Sequence, residues 1–266
     1  MIESFLSIED IHKRPYIMFV WAFALGTAAV LISNAIGYQI QGAAAVNLSG
    51  MFTVLFIVFP AAYIITAMVN SEESVEEEAV ERHLKKNFWQ MHRKYIVAML
   101  FFFFGLSAAF ALWTMVMPAD FFQVQMLKIN QIQGKFTGEA SAIALNFNRV
   151  FSNNLQVMFF AFLFSFIFGA GAIFVIVWNA SILGVYIGQI SESAWQIPMV
   201  SLRFLPHGIP EIAAYLISGL AGGLISAAVL RGHHTRVIER VGLDSLKLMA
   251  VAIALVALAA FVEVYL

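Results

Sequence analysis

Pro206-His207-Gly208-Ile209-Pro210-Glu211 opens an apolar stretch that continues to Leu230. It sets an imidazole and a carboxyl four positions apart at the mouth of a hydrophobic segment. If a helix starts near Pro206, the two side chains share one face, one turn apart. Proline suits a first helical turn, where its missing N–H is not needed. Ionisable groups at membrane depth are costly and face a bundle interior, a cavity or each other. His207 and Glu211 could therefore relay a proton, hold a cation or bind an anionic group at the helix N-terminus. A structural alternative is equally open: Glu211 caps backbone N–H groups while His207 bonds a neighbouring helix. Gly208, between them, is a candidate position of the same ligand or ion pathway. A metal site is disfavoured because no third ligand is evident.

Other polar residues interrupt apolar runs. Asn153 and Asn154 open one segment, and Asn179 follows Trp178 inside the next. A buried amide needs a partner. These amides either tie helices together or line a solute path. Gly219, Gly222 and Gly223, with Ser218 and Ser226, form a small-residue stripe. It permits close helix contact within the chain or in a homodimer.

The elements that must position these groups are membrane helices. Of 266 residues, 61% are hydrophobic and only 12% charged, whereas a soluble domain is about a quarter charged. The apolar runs are continuous rather than alternating, which excludes a barrel. The fold class expected is all-α, a polytopic transmembrane bundle of about seven apolar segments in a single domain spanning 1–266. The segments are 16–38, 51–69, 95–117, 155–168, 172–190, 206–230 and 246–266. Gly169-Ala170-Gly171 separates the fourth from the fifth, which are either two spans or a re-entrant, broken pair. Ile2, Phe5, Leu6, Ile8 and Ile11 precede the first span in an amphipathic pattern, read as a short interfacial helix or a frayed tail. No cleavable signal pattern is present. Lys13-Arg14 and the cluster from Arg231 to Arg240 place the N-terminus in the cytoplasm of a multi-pass protein of the cell membrane. That second cluster includes His233-His234 and reads as an anchor to anionic headgroups.

Residues 72–94 carry an acidic front and a basic back. Glu78/Arg82 and Glu81/Lys85 are i,i+4 pairs in the favourable order. One helix is expected here, extending the third span. Unbroken from Glu72, it would be roughly 65–70 Å long. It is either a solvated rod or a docking lever for a cytoplasmic protein. Residues 118–154 fall outside the cell by parity. Phe121, Phe122, Val124, Leu127 and Ile132 suggest an amphipathic segment lying on the membrane, and 140–151 a second short helix.

Several classes are excluded. Net charge of −1 argues against nucleic acid. The absence of cysteine removes thiol chemistry. No nucleophile elbow, P-loop, zincin motif or dinucleotide fingerprint occurs. No catalytic residue, metal or cofactor is expected, and the chain is not read as an enzyme.

The elements Phe151-Ser152-Asn153-Asn154-Leu155, Gly169-Ala170-Gly171, Trp178-Asn179-Ala180-Ser181-Ile182-Leu183-Gly184 and Pro206-His207-Gly208-Ile209-Pro210-Glu211-Ile212-Ala213 follow one another in an order that resembles the stage II sporulation protein M family. The Pro-His-Gly-x-x-Glu element is the most specific. The resemblance implies an all-helical polytopic membrane protein, and it carries over Asn154, Asn179, His207, Gly208 and Glu211 as pattern positions. The namesake's role, scaffolding cell-wall hydrolases in engulfment, depends on partners and does not transfer whole. Two functions remain. One is a non-enzymatic scaffold recruiting proteins through 72–94 and 118–154, with membrane lipids around it. The other is a transporter or permease subunit with its site at His207 and Glu211 and a broken helix pair near Gly169.

Overall fold

The computed structural model describes residues 7–37, 46–81, 88–133, 142–232 and 235–265, and the structural statements below concern these residues. The chain runs α1 (Ile8–Lys13), α2 (Tyr16–Gly37), α3 (Ser49–Glu81), α4 (Phe88–Val116), α5 (Gln123–Gln133), α6 (Ala142–Phe168), α7 (Ala172–Ile190), a 3-10 turn (Ala194–Gln196), α8 (Ile197–Leu202), α9 (Leu205–Leu230) and α10 (Thr235–Tyr265). Seven of these, α2, α3, α4, α6, α7, α9 and α10, are long and apolar enough to cross a membrane. The protein is an all-α polytopic bundle.

The spans alternate between two ends. At one end lie α1, the exit of α3, the start of α4, the α6–α7 turn and the exit of α9; this is the Glu72 end. At the other lie α5, α8 and the start of α9; this is the Glu211 end. Helix α9 occupies the centre, with 83% of its membrane window buried against 28% for α6 and for α10. Its small-residue stripe explains that position. A Cβ at Gly219 would press on Ala172 of α7, at Gly222 it would overlap the Phe162 carbonyl of α6, and at Gly223 it would meet the Gly169 carbonyl. The stripe is filled by helices of the same chain, so these three glycines already have their packing partners.

The fourth and fifth segments are two separate helices, each long and apolar enough to cross a membrane. Helices α6 and α9 run parallel, and Ser218 Oγ donates to the Met158 carbonyl at 2.7 Å. Helices α4 and α7 also run parallel, with Gly184 against Ser107 and Gly188 against Ala111. Gly169 makes the turn between α6 and α7 at φ 74°, a conformation that costs glycine little. Nearby Gly171 lies against the Phe164 carbonyl, where a side chain would not fit.

Three expectations are corrected. First, 72–94 is not one helix extending the third span. Glu72 to Glu81 continues α3, and Phe88 begins α4. Glu72 and His92 touch at 2.7 Å, whereas twenty residues of one helix would part them by about 30 Å. The two charged helix ends therefore lie side by side. Second, α5 docks on the bundle by a face that the apolar pattern of 118–133 does not single out, while 134–141 lies outside the described residues. Phe121, Phe122, Gln125 and Ile129 are buried, and Gln125 Nε2 donates to the Gly50 carbonyl at 2.9 Å. Leu127 and Ile132, expected on the apolar face, are exposed. Third, residues 142–154 form the first turns of α6 rather than a separate helix.

Of the segment before the first span, Ile8–Lys13 is a helix, and residues 1–6 lie outside the described residues. Ser7 caps α1 by accepting from the Asp10 N–H at 3.1 Å, and Ile11 is fully buried.

Candidate functional site

Leu205 to Leu230 forms α9 with Pro206 in its first turn and Pro210 inside it. His207 and Glu211 share a face, yet among the described residues no hydrogen bond or ion pair joins them. Glu211 Oε1 instead accepts from Tyr215 Oη at 2.7 Å, one turn further on. His207 packs edge-on against Phe204, ring centroids 6.0 Å apart. The expected imidazole–carboxyl pair is thus replaced by a carboxyl–phenol pair. Glu263 of α10 lies close enough to act electrostatically on both Glu211 and Tyr215. Gly208 has open space where a Cβ would point.

The amides separate. Asn179 Nδ2 donates to the Val175 carbonyl of its own helix at 2.7 Å, so this bond ties no second helix. Asn154 is buried. Its Oδ1 accepts from Asn153 Nδ2 at 3.1 Å, and its own Nδ2 has no hydrogen-bond partner. Counting one turn back along the parallel helices from the Ser218–Met158 bond brings Asn154 level with Ala214, in the turn carrying Glu211 and Tyr215. One group at this end therefore gathers Glu211, Tyr215 and Glu263, with Asn154 at the same height.

A second group lies at the opposite end and escapes sequence reasoning. Glu72 is 1% exposed and His92 fully buried. His92 Nδ1 lies 2.7 Å from Glu72 Oε2, a charge-assisted hydrogen-bond distance. His12 Nε2 of α1 lies 3.6 Å from Glu72 Oε1, too far for a hydrogen bond. Burial holds the His12 pKa below its ordinary value, outweighing the raising effect of Glu72, and Lys94 adds to the lowering. The next residue, Glu73, is also buried and forms an ion pair with Arg231 at the exit of α9. Arg231 donates further to Ser74 Oγ at 3.1 Å and the Asn70 carbonyl at 3.4 Å. Two adjacent carboxylates thus tie α3 to α1, α4 and α9. Nothing in the local pattern announces this, because the partners come from other helices. No group of three or more metal-ligating side chains is assembled among the described residues.

Seven apolar helices, of which the central, glycine-faced α9 is the most buried, define an integral, multi-pass membrane protein. Residues 97–266 match the family described as Stage II sporulation protein M, and the chain belongs to that family. It is similar to an uncharacterized protein of Methanocaldococcus jannaschii, 37% identical over 127 residues, covering 46% of this chain and 71% of the relative. No solved structure matches. The family match begins after His92, so it takes in Asn154, Asn179, His207, Gly208, Glu211 and Arg231 but not His12, Glu72, Glu73 or His92.

Proposed function

We propose that the protein is a non-enzymatic scaffold or assembly subunit of the cell membrane that recruits partner proteins through the charged ends of α3 and α4. The observation that carries this reading is the clamp at their root. Glu72 and Glu73 are buried side by side and held by His92 and Arg231 from different helices. Buried ion pairs are poor sources of net stability, and their best-attested use is to fix one arrangement. Here they would fix the direction in which a charged pair of helix ends leaves the bundle, as a docking surface requires. Lys13, Arg14, Arg93, Lys94, Arg231 and Arg240 collect at this end, against Lys128, Arg149 and Arg203 at the other. That asymmetry favours a cytoplasmic Glu72 end and a cytoplasmic N-terminus.

Photo-crosslinking in cells tests the scaffold. Crosslinkers at Glu78 and Arg93, both exposed, should trap a discrete protein adduct, and breaking the clamp with Glu72→Leu should abolish it in chains that still fold. If the adduct persists with the clamp broken, the clamp does not orient the surface. If neither position yields an adduct, the scaffold reading fails.

A transporter reading draws on the Glu211, Tyr215 and Glu263 group, since intramembrane carboxylates commonly mark ion or proton paths. Glu211→Gln separates the two. It should abolish flux into liposomes if Glu211 serves transport, and leave adduct formation intact. A scaffold using Glu211 structurally should lose folded protein instead.

A further inference from the structure

We propose that the connection between α7 and α9, residues 191–204, is embedded in the bilayer interface and takes lipid as its partner. The segment follows one span and precedes another, with α7 ending at Ile190 and α9 beginning at Leu205. It therefore sits at the membrane edge by chain connectivity alone. One side is anchored: Ile197 and Val200 are buried against Ala111 of α4 and Ile187 of α7. The outward side is apolar where an aqueous loop would be polar. Trp195 is 93% exposed, Met199 70% and Leu202 61%. Met199 and Leu202, three residues apart, share one face of α8, and Trp195 stands in the 3-10 turn that leads into it.

Protein and lipid are both chemically suited to an apolar face, but the surroundings favour lipid. Along the chain the stripe is flanked by exposed Ile190 at the exit of α7 and exposed Ile209 at the entry of α9, so outward apolar residues carry on from it into both membrane-spanning helices. Tryptophan is the side chain enriched at headgroup depth. The polar residues take the positions such an element requires. Glu192 and Gln196 close on each other, through the Glu192 N–H to Gln196 Oε1 at 3.0 Å and Gln196 Nε2 to Glu192 Oε2 at 3.3 Å, making a polar cap at one end. Arg203 is exposed at the other end, where its guanidinium reaches the phosphate layer. An uncovered apolar stripe of this kind in water would be an aggregation liability.

The element also sets the depth of the α9 entrance. Phe204 stacks edge-on with Tyr186 of α7 at 5.6 Å and with His207 at 6.0 Å. Lipid contact along α8 would thereby hold His207 at interfacial depth rather than in bulk water.

The chain contains no cysteine, so single-cysteine spin labels report unambiguously on the full-length protein in liposomes. Labels at Met199 and Leu202 should collide more often with oxygen than with a water-soluble nickel chelate, as a label at lipid-exposed Phe159 does. A label at Glu192 should show the reverse order. Greater collision with the chelate at Met199 and Leu202 would overturn the proposal by placing the stripe in water. Protection from both reagents would overturn it by placing a protein surface there. Because all four positions are exposed, the labelled chains should fold; size-exclusion profiles matching the unlabelled protein check this.

Discussion

Removing His92 tests the clamp most directly. Its Nδ1 lies 2.7 Å from Glu72 Oε2, with side-chain exposures of 0% and 2%. When the imidazole is protonated, opposite charges at that distance attract by about 6 kcal/mol at an effective dielectric of ~20, and desolvating both groups cancels most of it. The pair should therefore contribute little net stability yet be costly to break. His92→Leu leaves Glu72 buried without this partner, with the His12 ring 3.6 Å away, and should cost about 3–5 kcal/mol. Glu72→Leu should cost a similar amount by removing the carboxylate that faces His92 and His12. The double variant removes charge and partner together and should recover most of the loss, to within about 1 kcal/mol of the parent. Reversible unfolding in mixed micelles, titrated with SDS, measures all three. Additive single and double effects would refute the reasoning, because they would mean that the two groups do not depend on each other.

Two further tests use different parts of the fold. Gly222→Ala should destabilise by about 1–3 kcal/mol, because its Cβ would overlap the Phe162 carbonyl, whereas Gly208→Ala, with open space around it, should be neutral or stabilising by about 0.5–1 kcal/mol. The same SDS titration measures both, and equal effects would contradict the packing of α6 on α9. Docking of α1 should weaken on acidification. The folded-state pKa of His12 lies below its ordinary 6.5, so docking favours the neutral ring. That contribution is intact above the unfolded value and is lost as pH falls through the lower, folded value. Hydrogen exchange of the α1 amides should therefore accelerate below pH 6.5 more in the parent than in His12→Gln; parallel profiles would dismiss the role of His12.

The parts of this fold legible in the sequence are those that one helix determines by itself. Continuous apolar runs require membrane helices because lipid offers the backbone no partner. A glycine stripe announces close packing whatever helix supplies the other face. Helix beginnings and ends were less legible where charge was involved. Glu78/Arg82 and Glu81/Lys85 have the spacing of good intrahelical pairs, which made 72–94 look continuous. The pairing that decides the path is between Glu72 and His92, twenty positions apart, and local periodicity cannot report it. In α5 the apolar positions alone pointed outward at Leu127 and Ile132, while the buried face follows Phe122, Gln125 and Ile129 and includes a polar residue.

The same distinction explains why the Pro-His-Gly-x-x-Glu element was found but its pairing was not. Spacing puts residues 207, 211 and 215 on one face, and it allows Glu211 to turn back to His207 or forward to Tyr215. The choice depends on surroundings that spacing does not contain: Phe204 takes up the imidazole, while Tyr215, buried at the core of α9, offers a hydroxyl that needs an acceptor. Asn179 had a comparable choice and satisfied it within its own helix, as short polar side chains can. Asn154 did not, since its Nδ2 remains without a partner inside the bundle. A buried donor left unpaired costs about 1–3 kcal/mol. That cost is accounted for if the group of Glu211, Tyr215 and Glu263 at the same height does more than hold helices together. Asn154→Leu separates the two cases: a purely structural asparagine should be replaced at little cost in stability and none in flux or adduct formation, and loss of either activity at unchanged stability would assign the amide to the working site.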